Sequence, residues 1–166
     1  MNFLKSIFGI ALLTGLLFSC SPNESSPPAA IEESQTEILE FDSLLAQQLG
    51  ADDYGMKQYV MAFLKAGPNR SKDQETANAL QKAHMDNISR MAEAGELVVA
   101  GPFLDNGELR GIYIFNVTSI EEAEALTATD PAIKAGSLVM ELHPWYGSAA
   151  LMQLSESHDK IAKIKF

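Results

Sequence analysis

The sequence has a single cysteine, Cys20, which excludes an internal disulfide and every CxxC-type metal or redox motif. It is also short of positive charge. Twelve Lys and Arg stand against 22 Asp and Glu, for a formal net charge of −10. The basic residues form no cluster, so nucleic acid is a poor partner and anionic lipid has no electrostatic hold on the chain. No GxGxxG fingerprint, GxxxxGK phosphate loop or GxSxG elbow occurs, which leaves nucleotide cofactors and serine hydrolysis without support; no cofactor is expected. Long hydrophobic runs are missing but for one, "IFGIALLTGLLF", and that run is shorter than the about 20 residues a membrane-spanning helix needs.

What is present at the start of the chain is a processing signal. Lys5 supplies a positive n-region, the apolar run follows, and "LFSC" ends at Cys20. With Leu17 and Ser19 ahead of the cysteine it resembles a bacterial lipoprotein signal, although Phe18 departs from the usual pattern. An ordinary secretory signal that happens to contain a cysteine is the other reading. The lipoprotein reading removes residues 1–19, places lipid on Cys20 and ties the protein to a membrane of the bacterial cell envelope. Loss of Lys5 takes the formal charge from −10 to −11. One acyl chain holds weakly, and the lipoprotein resemblance implies more than one.

Residues 20–40, with "SPNESSPPAAIEESQTE", have almost nothing to bury and read as a flexible tether. Residues 41–52 form a short helical lead-in, with Asp42 as N-cap and Gly50 as stop. A single domain is expected over 53–147, followed by a tail over 148–166. Within the domain, "MKQYVMAFLKAGP" reads as a strand, and a long helix spans about Lys72 to Ala94. "ELVVAGPF" and "LRGIYIFNV" form a hairpin around "DNG". Ser119 and Glu122 have capping-box spacing ahead of a second helix, and "SLVMELHPW" is a last strand stopped by Pro144. The order β-α-β-β-α-β predicts an α+β fold, the ferredoxin-like sandwich with both helices on one sheet face.

Two strands are apolar on both sides. Val60, Ala62 and Leu64 alternate with Tyr59, Met61 and Phe63, and Ile112 and Ile114 alternate with Tyr113 and Phe115. Two helices cover one face only, so the other needs a cover. A second subunit is the economical one, which predicts a homodimer built sheet to sheet; the tail or the lead-in helix folding across that face is the alternative.

The long helix carries a polar residue where its apolar stripe should be. At roughly 100° per residue, Ala77, Leu80, Ile88 and Met91 share one side and His84 falls among them. Either His84 is a core histidine bonded to backbone, or it is a site residue. Asp130, in "DPAIKAG", has the form of an N-cap with proline at the first helical position.

The first strand ending "AGP", the helix histidine, "GELVVAGPF", "RGIYIF", "EEAEAL" and "DPAIKAGSLVMELHPW" together resemble the YCII-related family, from about Tyr54 to Tyr146. The resemblance implies a ferredoxin-like fold that dimerises as an α/β barrel, and an enzymatic site built from a helix histidine and the aspartate of a DP pair. Those positions are His84 and Asp130 here. A carboxylate beside an imidazole fixes the ring's tautomer and makes it more basic, while burial works the other way. Such a pair suits a general base near neutral pH. The expected function is a lyase or isomerase step on a small carbonyl or phenolic compound, with His84 as base and Asp130 as its orienter. The alternative is a non-catalytic ligand-binding or accessory domain of the envelope. A metal site of His84, His143 and Asp130 lacks supporting spacing, so no metal is expected. His158 reads as solvated, and Arg110 as either surface or a contact for an anionic group.

Overall fold

The computed structural model describes residues 40–164; the signal segment, Cys20 and all but the last residue of the tether lie outside the described residues. Local signals place the elements. Asp42 accepts the Leu45 N–H at 2.9 Å and starts α1 (Ser43–Leu49). After β1 (Met56–Ala66), Asp73 accepts the Thr76 N–H at 2.8 Å and starts α2 (Gln74–Glu93). The hairpin of β2 (Leu97–Pro102) and β3 (Leu109–Phe115) turns where Asp105 accepts the Gly107 N–H. α3 (Ile120–Thr127) opens on a complete Ser119–Glu122 capping box, α4 (Pro131–Lys134) on Asp130, and β4 (Leu138–Ser148) follows. A 3-10 turn (Ala149–Gln153) and α5 (Leu154–Ile161) give the expected tail a helical form.

The sheet order is β2-β3-β1-β4, and every neighbouring pair is antiparallel. With β1 and β3 central and the helices α2 and α3 between strands in sequence, this is the ferredoxin-like arrangement. Val60, Ala62 and Leu64 of β1, with Leu97, Tyr113 and Phe115, meet Met91 of α2 and Ala123 of α3 in one apolar cluster. Burial of these side chains, at roughly 1.5–3 kcal/mol for each large one, is the main force holding the helices to the sheet.

β4 corrects one expectation. It does not stop at Pro144 but runs on to Ser148, with Pro144 opposite Val60 of β1. The topology explains the tolerance: β4 is an edge strand, so half of its N–H positions face away from the sheet and a residue without an N–H costs no ladder bond there.

The other sheet face carries Tyr59, Met61, Phe63, Ile112 and Ile114, with Glu141, His143 and Trp145 beside them on β4. The Tyr59 hydroxyl donates to Ser148 O at 3.1 Å, and the ring lies 5.8 Å from Trp145, so Tyr59 is sealed at 1% exposure. The 3-10 turn rests on β1 and β2 and α1 rests on the turn. At the opposite end the face stays open: Val139 is 41% exposed, and Lys65, Glu141 and His143 form a polar group there.

One close approach fixes the corner that carries Asp130. Gly67 N–H donates to Ser137 O and Asn69 N–H to Gly136 O, both at 2.9 Å. A Cβ on Gly67 would stand 2.2 Å from Gly136 O, so only glycine lets the end of β1 touch the start of β4.

Candidate active site

Three elements converge between sheet and helices. α2 supplies His84, the loop entering α4 supplies Asp130, and β3 supplies Tyr113 from the strand face that joins the core. Their exposures are 7%, 0% and 2%, so each polar atom must find its partner inside the protein. They find one another. Asp130 Oδ2 lies 2.7 Å from His84 Nδ1, and His84 Nε2 lies 3.3 Å from the Tyr113 hydroxyl.

Asp130 serves two groups through two oxygens. Oδ1 accepts the Ala132 N–H at 2.8 Å, which caps α4, while Oδ2 faces the imidazole. One side chain therefore both caps α4 and faces the imidazole. A carboxylate only accepts, so the Nδ1–H tautomer of a neutral His84 satisfies this bond and leaves the Nε2 lone pair for the Tyr113 O–H. Tyr113 lies nearly parallel to the imidazole, 18° between planes, and packs edge-on against Phe115 at 5.6 Å. Its burial and the negative charge of Asp130 push the phenol far above its ordinary ionisation range, so it remains a proton donor.

A second polar group stiffens the same corner. Arg90 donates from Nε to Asn87 Oδ1 at 3.3 Å and from Nη2 to Thr129 Oγ1 at 3.2 Å, and Thr129 Oγ1 donates to Leu126 O at 2.6 Å. Residue 129 is thereby tied to α2 one turn beyond His84, which holds the neighbouring Asp130 in register with the ring.

Two clefts lie near. One of about 90 Å³ is walled by Arg70, Leu80, Gln81, Ala132 and Ser137; Leu80 precedes His84 by one helical turn and Ala132 is the residue that Asp130 caps. A larger one, about 480 Å³, opens between α2, β2 and α5. His84 lines neither.

The remaining sequence candidates do not join the site. His143 pairs with Glu141 and packs on Phe63, on the sheet face opposite His84, so His84, Asp130 and His143 cannot share a metal ion. Among the described residues no group of three His, Cys, Asp or Glu is placed to hold one. His158 is exposed on α5. Arg110 sits where β1 and β3 shift register, with its Nε buried and unpartnered among the described residues. Tyr113 is the member of this buried cluster that sequence reasoning misses, since in the sequence it counts only as an apolar member of an alternating strand. The signal for it was a phenol on the strand face that also carries Phe115, because a buried Tyr hydroxyl requires a partner.

A model of the YCII-related domain matches residues 59–146, which span β1 to β4 and include all three convergent residues. No curated protein matches the chain. Among solved structures it is similar to a 5-chloro-2-hydroxyhydroquinone dehydrochlorinase from Burkholderia phenoliruptrix AC1100, in complex with 2,5-dihydroxybenzoquinone. The identity is 18% and the TM-score 0.41, over 54% of this chain and 93% of that one.

Proposed function

The chain belongs to the YCII-related domain family, and from that premise we propose that it is a small-molecule lyase or isomerase in which His84 acts as general base on a carbonyl or phenolic compound. The observation that carries the reading is the 2.7 Å contact of His84 Nδ1 with Asp130 Oδ2, which leaves Nε2, faced only by the Tyr113 hydroxyl, as the basic nitrogen. Asp130 orients the ring and balances the positive charge that the ring acquires when it takes a proton. The backbone bond from Ala132 keeps the carboxylate from turning away. A substrate that reaches Nε2 takes over the bond that the Tyr113 hydroxyl makes there.

The test does not depend on the identity of the natural substrate. A panel of 1,3-dicarbonyl and phenolic carbon acids is incubated in D2O and followed by proton NMR. Wild-type protein accelerates exchange of at least one member and His84→Gln does not, because Gln keeps volume and polarity but is no base. Equal exchange by both proteins rejects the assignment.

The same reading carries a setting. The protein is a homodimer packed through the sheet face of Met61, Phe63 and Ile112, and it is held to a membrane of the bacterial cell envelope by lipid on Cys20. Cys20→Ser then releases it from the membrane fraction; an unchanged membrane content rejects the anchor.

A second reading has one observation in its favour. His84 lines neither cleft, as expected of an accessory or ligand-binding domain in which the pair only specifies the core. Under that reading His84→Gln leaves ligand binding unchanged.

A further inference from the structure

Tyr113 is unused by the general-base reading, yet its surroundings are specialised. Its hydroxyl is buried, and among the described residues its sole hydrogen-bond partner is His84 Nε2. At 3.3 Å that bond is long for an O–H donor, whose usual reach is about 2.5–3.0 Å. A stronger acceptor can take it over with little loss. The ring itself is buried, nearly parallel to the His84 imidazole and edge-on to Phe115. What remains free is rotation of the hydroxyl proton.

We propose that Tyr113 is the oxyanion donor of this site: its O–H, which donates to Nε2, turns to the oxygen from which His84 has taken a proton. The inference rests on the general-base reading. Base and donor stand 3.3 Å apart, so one oxygen can lie within hydrogen-bond reach of both at once. That favours a substrate whose acidic proton is on oxygen, an enol or a phenol. The step balances without a co-reactant. The substrate O–H bond breaks, its proton forms an N–H bond at Nε2, and the electron pair stays on the substrate oxygen. Tyr113 donates to that oxygen while Asp130 Oδ2 faces the imidazolium. Because the phenol of Tyr113 holds its proton far into the alkaline range, it gives a hydrogen bond and does not compete for the charge.

The experiment uses the full chain and 4-nitrophenol, whose phenolate is coloured, buffered below its solution pKa. Wild type binds the probe as phenolate and the coloured band grows on titration. In Tyr113→Phe, which keeps the ring and its packing, phenolate affinity falls about 10-fold to 100-fold, the loss expected for one hydrogen bond to a charged oxygen. Affinity for 4-nitroanisole, which cannot ionise, stays within a factor of two, a split that mere loosening of the core would not produce. If the band grows equally in Tyr113→Phe and is lost in His84→Gln, Tyr113 has no such role and the base assignment stands. If the band grows equally in His84→Gln, the base assignment itself falls. A wild-type protein that binds the probe without colour, or does not bind it, overturns the proposal.

Discussion

His84 Nδ1 and Asp130 Oδ2 meet at 2.7 Å from positions 46 residues apart, one on a long helix and the other at the start of a single-turn one. The carboxylate is fully buried and bonded through both oxygens, so the two groups it serves lose their partner together if it is removed.

Asp130→Ala should therefore destabilise the fold by about 3 kcal/mol, the range for stripping a buried bonded charge that also caps a helix. Asp130→Asn keeps one acceptor and should cost about 1–2 kcal/mol. Urea denaturation with unchanged m-value measures both; equal losses would contradict the two-oxygen arrangement.

The neutral imidazole of His84 should be the Nδ1–H tautomer, because a carboxylate faces Nδ1 and a hydroxyl faces Nε2. Nitrogen-15 NMR of the ring nitrogens reads this directly. Asp130→Asn should weaken the preference, and a wild-type ring protonated at Nε2 alone would contradict the geometry.

Tyr113 predicts an alkaline limit. Its ionisation is raised, first by burial and then by the charge of Asp130. A raised value in the folded state means that its contribution is complete below the unfolded value of 10.0 and is lost as pH climbs beyond it. In an absorbance titration the Tyr113 phenolate should appear only with unfolding, and Tyr113→Phe should remove part of the stability loss seen above pH 10.

The capping box of α3 predicts an acid limit. Bonds from the Ser119 hydroxyl, then from the Thr118 and Ser119 N–H groups, hold the Glu122 carboxyl below its ordinary value of 4.5. A depressed value means stability present above 4.5 and lost as pH falls through the folded value. Glu122→Gln should show less loss between neutral and acid pH by thermal denaturation. Ser119→Ala should cost about 1 kcal/mol at neutral pH.

For the proposed dimer the sharp probe is Phe63, which is half-buried on the outer sheet face, whereas Tyr59 is sealed and a charge there would disturb the fold itself. Phe63→Glu should raise the dissociation constant at least about tenfold in sedimentation equilibrium, a loss of roughly 1.4 kcal/mol. A wild-type protein that is monomeric at micromolar concentration would remove the basis for the dimer.

The sequence by itself determined the order of the elements from α1 to β4. Caps at Asp42, Ser119 and Asp130 and the alternation along β1 and β3 are local signals, written within a few residues of the structure they specify. It also marked His84 and Asp130, because a histidine in an apolar stripe and an aspartate before proline each break or complete a local pattern. The YCII-related resemblance paired them. What only the tertiary structure decided is long-range. Pro144 passes through β4 because that strand is an edge, a property of sheet order that no local pattern encodes. Tyr113 became a polar partner because β3 lies beneath α2 with the phenol at the height of the imidazole, while His143, equally polar in sequence, was set aside by strand parity on the opposite face. Local propensity chooses which groups face inward; the packing of elements far apart in the chain chooses which of them meet.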